Sequence, residues 1–141
     1  MAARILVVDD EPYIRELVRE TLKSRSFETG VAANGVEALD ILSRERFDIM
    51  LTDVVMPGMD GLELLKRAKR AHPKLRVIVL TAYPRQSDIG DFLLQGADEF
   101  LPKPFRANDL VAAIRKVQGQ APGPAPGGTP LLPGDAPAPG R

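Results

Sequence analysis

The chain has 141 residues, 44% apolar and 27% charged, and no cysteine; that suffices for one ordinary domain but not two, and excludes disulfides and thiolate metal sites. Basic and acidic side chains balance at 19 each, so the basic excess of a typical nucleic-acid binder is missing. No apolar run approaches the roughly 20 residues that span a bilayer, and the first one is too short for a secretory leader, which points to a cytoplasmic protein without membrane or direct nucleic-acid contact.

Ile5, Leu6, Val7 and Val8 form an apolar run of the kind buried on both faces of a sheet. Pro12 follows, suited to the first turn of a helix, and Ile14, Leu17, Val18, Thr21 and Leu22 recur at helical spacing. Residues 27–33 read as a second, weaker strand. Asn34 and Glu37 fit a variant capping box, opening a helix that buries Ala38, Leu39 and Leu42, with Ile41 nearby. Residues 48–52 form a third strand. Asp60 and Glu63 then cap a helix carrying Leu62, Leu65 and Ala68, whose cationic residues Lys66, Arg67, Lys69 and Arg70 read as a solvated face.

A fourth strand covers residues 77–80. Ile89, Phe92 and Leu93 mark a fourth helix, weakened by Gly90, which costs about 1 kcal/mol relative to alanine. With Pro84 close by, a short or loose helix is expected there. Residues 99–101 form a fifth strand, and Leu110, Ala113, Ile114 and Val117 a fifth helix. From Gly119 onward the composition turns to proline, glycine and alanine, with Leu131 and Leu132 the only large apolar side chains. Such a segment buries too little to offset its ordering entropy. The expected organisation is therefore one domain over residues 1–118 and a disordered tail or linker over residues 119–141.

Strands alternating with helices predict a parallel sheet covered on both faces. The common right-handed arrangement for five strands is the flavodoxin-like order 2-1-3-4-5. Ligands bind such sheets beyond the carboxyl ends of the strands, at the switch point between strands 1 and 3. The first strand ends in Asp9, Asp10 and Glu11, the third in Asp53, the fourth in Thr81, and the fifth just before Lys103 and Pro104. Taken singly, each has an ordinary reading: the acids satisfy helix-start amides, the threonine ends a strand, the lysine is solvated. Together they bring acids, a hydroxyl and a cation to one face. Close carboxylates repel and call for a cation, and an oxygen-only donor set suits Mg²⁺. Such an ion would neutralise an incoming phosphoryl group and leave one carboxylate free to attack it, with Lys103 and Thr81 contacting phosphate oxygens.

Four segments carry a family resemblance: residues 7–12 (VVDDEP), 48–61 (DIMLTDVVMPGMDG), 79–82 (VLTA) and 96–105 (GADEFLPKPF). In order and spacing they resemble response-regulator receiver domains of two-component signalling systems, over the whole unit to about residue 118. The resemblance implies that Asp53 accepts a phosphoryl group from a sensor histidine kinase or phosphotransfer protein. It implies that Asp10 ligates Mg²⁺ directly, Asp9 largely through water, and that the Val55 backbone carbonyl joins them. Thr81 and Lys103 match the phosphate-contacting hydroxyl and amine, and the Lys103–Pro104 bond one that is cis in the family. Phe100 stands at the aromatic switch position: Thr81 drawn toward phosphate would let it rotate inward and remodel the face of helix 4, strand 5 and helix 5 for a partner. On residue type alone, Phe100 is plain core.

Val55 and Tyr83 lie two residues beyond Asp53 and Thr81, where the family tunes loss of phosphate. A bulky, largely apolar pair there predicts a long-lived phosphorylated state. His72, before Pro73, falls away from the acidic cleft. A dehalogenase-like phosphatase would need an Asp-x-Asp pair, but Glu11 stands two after Asp9, and the chain leaves no room for a cap domain. A flavin binder would need a Ser/Thr/Gly-rich loop after the first strand, which is missing. The complete set of Asp9, Asp10, Asp53, Thr81 and Lys103 argues against a scaffold that works without phosphate. The sequence leaves the cognate kinase and the target unspecified.

Overall fold

The apolar runs become the central layer of the computed structural model, which describes residues 3–82 and 86–119. The strands are β1 (Arg4–Val8), β2 (Glu28–Ala32), β3 (Ile49–Asp53), β4 (Arg76–Thr81) and β5 (Glu99–Pro102), all parallel, in the order β2-β1-β3-β4-β5. The helices are α1 (Pro12–Ser24), α2 (Gly35–Arg44), α3 (Gly61–Ala71), α4 (Gln86–Leu94) and α5 (Ala107–Gln118). The fold and strand order expected from the sequence are those observed. Strand ends move by at most one residue, and β3 runs through Asp53 itself.

Alternation along the strands divides the core in two. Leu6, Val8, Met50, Val77 and Val79 pack with α2, α3 and α4 through Ala38, Leu42, Leu65, Ala68 and Phe92. Ile5, Val7, Ile49, Leu51, Ile78, Leu80 and Leu101 pack with α1 and α5 through Val18, Leu22, Leu110 and Ile114. Leu17, on the α1 stripe, falls at its edge and is 46% exposed.

Local signals start the helices as read. Pro12 occupies the first turn of α1. Asn34 accepts the Glu37 N–H at 2.8 Å, while the Glu37 carboxylate accepts from Ala33 rather than from Asn34, one residue outside the reciprocal capping pattern. Asp60 accepts the Glu63 N–H at 2.9 Å. α4, at 9 residues, is the shortest of the described helices. The expectations for Tyr83, for Pro84 and for a tail beyond Gly119 fall outside the described residues.

The cationic face expected on α3 needs correction. Arg67 and Arg70 are exposed, but Lys69 is 1% exposed, and its ammonium lies 3.1 Å from the Asp98 carboxylate, itself 3% exposed. The Asp98 carboxylate also accepts the Val77 N–H at 2.8 Å, and its own N–H donates to the Val77 carbonyl at 2.9 Å. Burial pushes the Lys69 amine below the ordinary lysine range, and the Asp98 charge only partly offsets this. The pair fastens the last turn of α3 to the amino end of β4 and the start of β5. The signal was helical spacing: Lys69 lies four residues after Leu65 and one after Ala68, both fully buried.

Candidate functional site

Strand register builds the cleft. Val8 is paired with Thr52, so the residues that follow, Asp9 and Asp53, emerge side by side from β1 and β3. Asp53 is paired with Leu80, one residue before Thr81, and Thr81 with Pro102, one residue before Lys103. Four strands therefore deliver their terminal side chains to one edge. Carboxylate oxygens of Asp9, Asp10 and Asp53 lie within 4.8 Å of one another. The Lys103 ammonium donates to Asp9 at 3.1 Å and lies 3.4 Å from Asp53. Its backbone N–H donates to the Thr81 carbonyl at 2.8 Å, and the Lys103–Pro104 bond is cis.

The acids differ in their surroundings. Asp9 is fully buried; besides Lys103 it accepts the Glu11 N–H at 2.9 Å, so the ordinary helix-start role also holds for it. Asp53 is part-buried and accepts the Val54 N–H at 2.8 Å. Burial pushes its carboxyl above the ordinary aspartate range and the Asp9 charge adds to this; Lys103 and the Val54 N–H oppose the rise without cancelling it. Burial alone would lower the Lys103 amine. Its hydrogen bond to Asp9, with the charges of Asp9 and Asp53, outweighs that and holds it above the ordinary lysine range. Asp10 is exposed at the mouth. One ammonium faces three carboxylates, and every candidate ligand is a hard oxygen, so the donor set fits Mg²⁺.

Thr81 is 7% exposed at the end of β4. Val55, two residues beyond Asp53, is 77% exposed. Phe100 is partly buried and meets Phe92 of α4 edge-on, ring centroids 6.2 Å apart. His72 caps the far end of α3, away from the cleft as expected.

Sequence reasoning overlooked Gly61. This first residue of α3 donates its N–H to the Val54 carbonyl at 2.8 Å. A side chain there would run into the Asp53 carbonyl oxygen and stand 2.9 Å from the Val54 Cα. Glycine lets α3 press directly on the backbone that carries Asp53.

The fold and this cleft define a class: a doubly wound α/β domain whose strand ends gather acids around one lysine. Residues 5–115 match the family model of the response regulator receiver domain, and the chain belongs to that family. It is 41% identical over 116 residues to sporulation initiation phosphotransferase F of Bacillus subtilis, covering 82% of this chain and 94% of that protein. Among solved structures it resembles the chemotaxis protein CheY4 of Vibrio cholerae (TM-score 0.81, 32% identity, 83% of this chain and 99% of that one). It also resembles the response regulator TrrA of Thermotoga maritima in complex with Mg²⁺-BeF (TM-score 0.75, 38% identity, 83% and 99% covered). The chain spans about half the length of the response regulator MprA of Mycobacterium bovis, which it matches at 41% identity. The protein is thus a receiver domain of two-component signalling, a family phosphorylated by histidine kinases or phosphotransfer proteins. Among the described residues no helix is long and apolar enough to cross a membrane.

Proposed function

We propose that this protein accepts a phosphoryl group on Asp53, in a magnesium-dependent transfer from the phosphohistidine of a sensor kinase or phosphotransfer protein. Its output is then a change in the face built by α4, β5 and α5. The observation that carries this reading is the meeting of Asp9, Asp10 and Asp53 within 4.8 Å, with Lys103 bridging two of them. An Asp53 oxygen forms a bond to phosphorus while the bond from phosphorus to imidazole nitrogen breaks. The imidazole nitrogen leaves with the electron pair; the other ring nitrogen carries the proton, so the donor histidine is released as a neutral ring. Asp9, Asp10, Asp53 and the Val55 carbonyl would hold the magnesium ion, which when bound supplies positive charge to the phosphoryl oxygens. The TrrA complex with Mg²⁺-BeF supports magnesium as the ion.

The chain's own groups do the rest. Lys103 offsets the negative charge of Asp9 and Asp53 before transfer and afterwards turns one donor to phosphate. Thr81 donates its hydroxyl to another phosphate oxygen. That movement relaxes the packing beneath Phe100 and biases its ring inward, a shift between two populations. The face it would remodel carries a groove of about 470 Å³ lined by Leu101, Pro102, Phe105, Ala112 and Lys116. The only turnover in this reading is gain and loss of the protein's own phosphate. The receiver unit is taken as residues 1–118, in the cytoplasm, with residues 119–141 as a linker.

Incubation with acetyl phosphate and Mg²⁺, followed by intact mass, tests this. The expected result is a gain of one phosphate, abolished by Asp53→Asn and by a chelator. A gain that survives either one overturns the assignment.

A further inference from the structure

Asp9 is tied at each of its polar atoms. Its N–H donates to the Ala32 carbonyl at 3.2 Å, one carboxylate oxygen accepts from Glu11 at 2.9 Å, and the other from Lys103 at 3.1 Å. Its carbonyl oxygen accepts from an Arg15 guanidinium N–H at 2.7 Å, the shortest of the four. Arg15 lies one turn into α1, its own N–H bonded to the Glu11 carbonyl at 3.1 Å, on a helix seated by buried Val18 and Leu22. Asp10 is the opposite case. Among the described residues nothing hydrogen-bonds its carboxylate, so only its backbone anchors it, with its side-chain torsions left to the ordinary rotamers. The Asp9 carbonyl and the Asp10 N–H share one rigid peptide plane. Whatever holds that carbonyl also fixes the point from which the Asp10 side chain starts.

We propose that Arg15 is a positioning residue for the divalent-cation site: by clamping the Asp9–Asp10 peptide plane it presents the Asp10 carboxylate to the ion. The inference rests on the magnesium reading above and adds to it a residue outside the ligand set. Two effects of the guanidinium oppose each other, and their sign separates them. As a nearby positive charge it repels a dication, so its removal should tighten binding. As a clamp it spares the loop an ordering cost on binding, so its removal should weaken binding. Freeing one residue's backbone corresponds to about tenfold in affinity. The direct 2.7 Å bond favours the clamp.

The test is isothermal titration of Mg²⁺ into the full chain, well below the thermal midpoints of all variants in chelator. Arg15→Met should bind Mg²⁺ about tenfold more weakly than the parent. Arg15→Lys keeps the charge but loses the forked donor, and should fall between the two. If Arg15→Met does not remain folded, Arg15→Lys carries the test alone, since it must still bind more weakly than the parent. Unchanged or tighter binding in the folded variants overturns the proposal. A parent chain that binds no Mg²⁺ sinks the magnesium reading itself, whereas a parent that binds beside unaffected variants sinks only the role of Arg15.

Discussion

The two ends of the sheet each hold a lysine against an aspartate at 3.1 Å, and the two contacts serve different ends. At the amino end the Lys69 and Asp98 side chains are sealed, at 1% and 3% exposure. At the carboxyl end Lys103 is 20% exposed and shared between Asp9 and Asp53, with Asp10 open beside them. Distance does not tell a staple from a site. Access does: a dry, sealed pair is closed to ligands, whereas an open cluster with excess negative charge still attracts a cation.

The largest expected effect is at the staple. Lys69→Met removes one member of a buried ion pair and should cost about 3 kcal/mol, read as a lower midpoint in urea. Phosphate gain by the folded Lys69→Met protein should change little; a loss as severe as that of Asp53→Asn would erase the division between the two ends.

Gly61→Ala strikes where packing and chemistry meet. Its Cβ has no room against the Asp53 and Val54 backbone, and the overpacking should cost about 2 kcal/mol. It should also slow phosphorylation by acetyl phosphate, because the displaced backbone carries the acceptor. A stable variant with unchanged phosphorylation would show that α3 can yield without moving Asp53.

Asp53→Asn should abolish phosphate gain yet raise stability at pH 7 in chelator. The sign follows from linkage. The folded pKa of Asp53 is raised, so between the ordinary aspartate pKa and the folded one the native state binds more protons than the unfolded state. Ionised Asp53 therefore lowers stability as pH rises through that window. The advantage of asparagine should be full at pH 7 and should vanish below the ordinary aspartate pKa. Denaturation midpoints across pH measure it, and a destabilised Asn variant at pH 7 would mean the Lys103 attraction outweighs burial. The smallest effect is expected from Val55→Asn, which should hasten loss of phosphate a few-fold by admitting and orienting water. Unchanged or slower decay would remove Val55 from that role.

Most of the fold was legible, because strands buried on both faces write themselves as unbroken apolar runs and caps such as Asn34 and Asp60 act within a turn of their own position. The candidate site was legible for a related reason. A parallel sheet places every strand's carboxyl end on one edge, so Asp9, Asp53, Thr81 and Lys103 had to converge once the strands were found.

What the order of residues determined by itself was the set of elements and the edge on which the chemistry-bearing side chains gather. What only the tertiary structure decided was which charges are sealed and which are open. Lys69 and Lys103 are chemically identical side chains, and Asp98 reads like any other strand-start acid. Their separate fates are set by what packs over them: desolvation depends on every neighbour in space, most of them distant in the chain, and no local spacing rule encodes it.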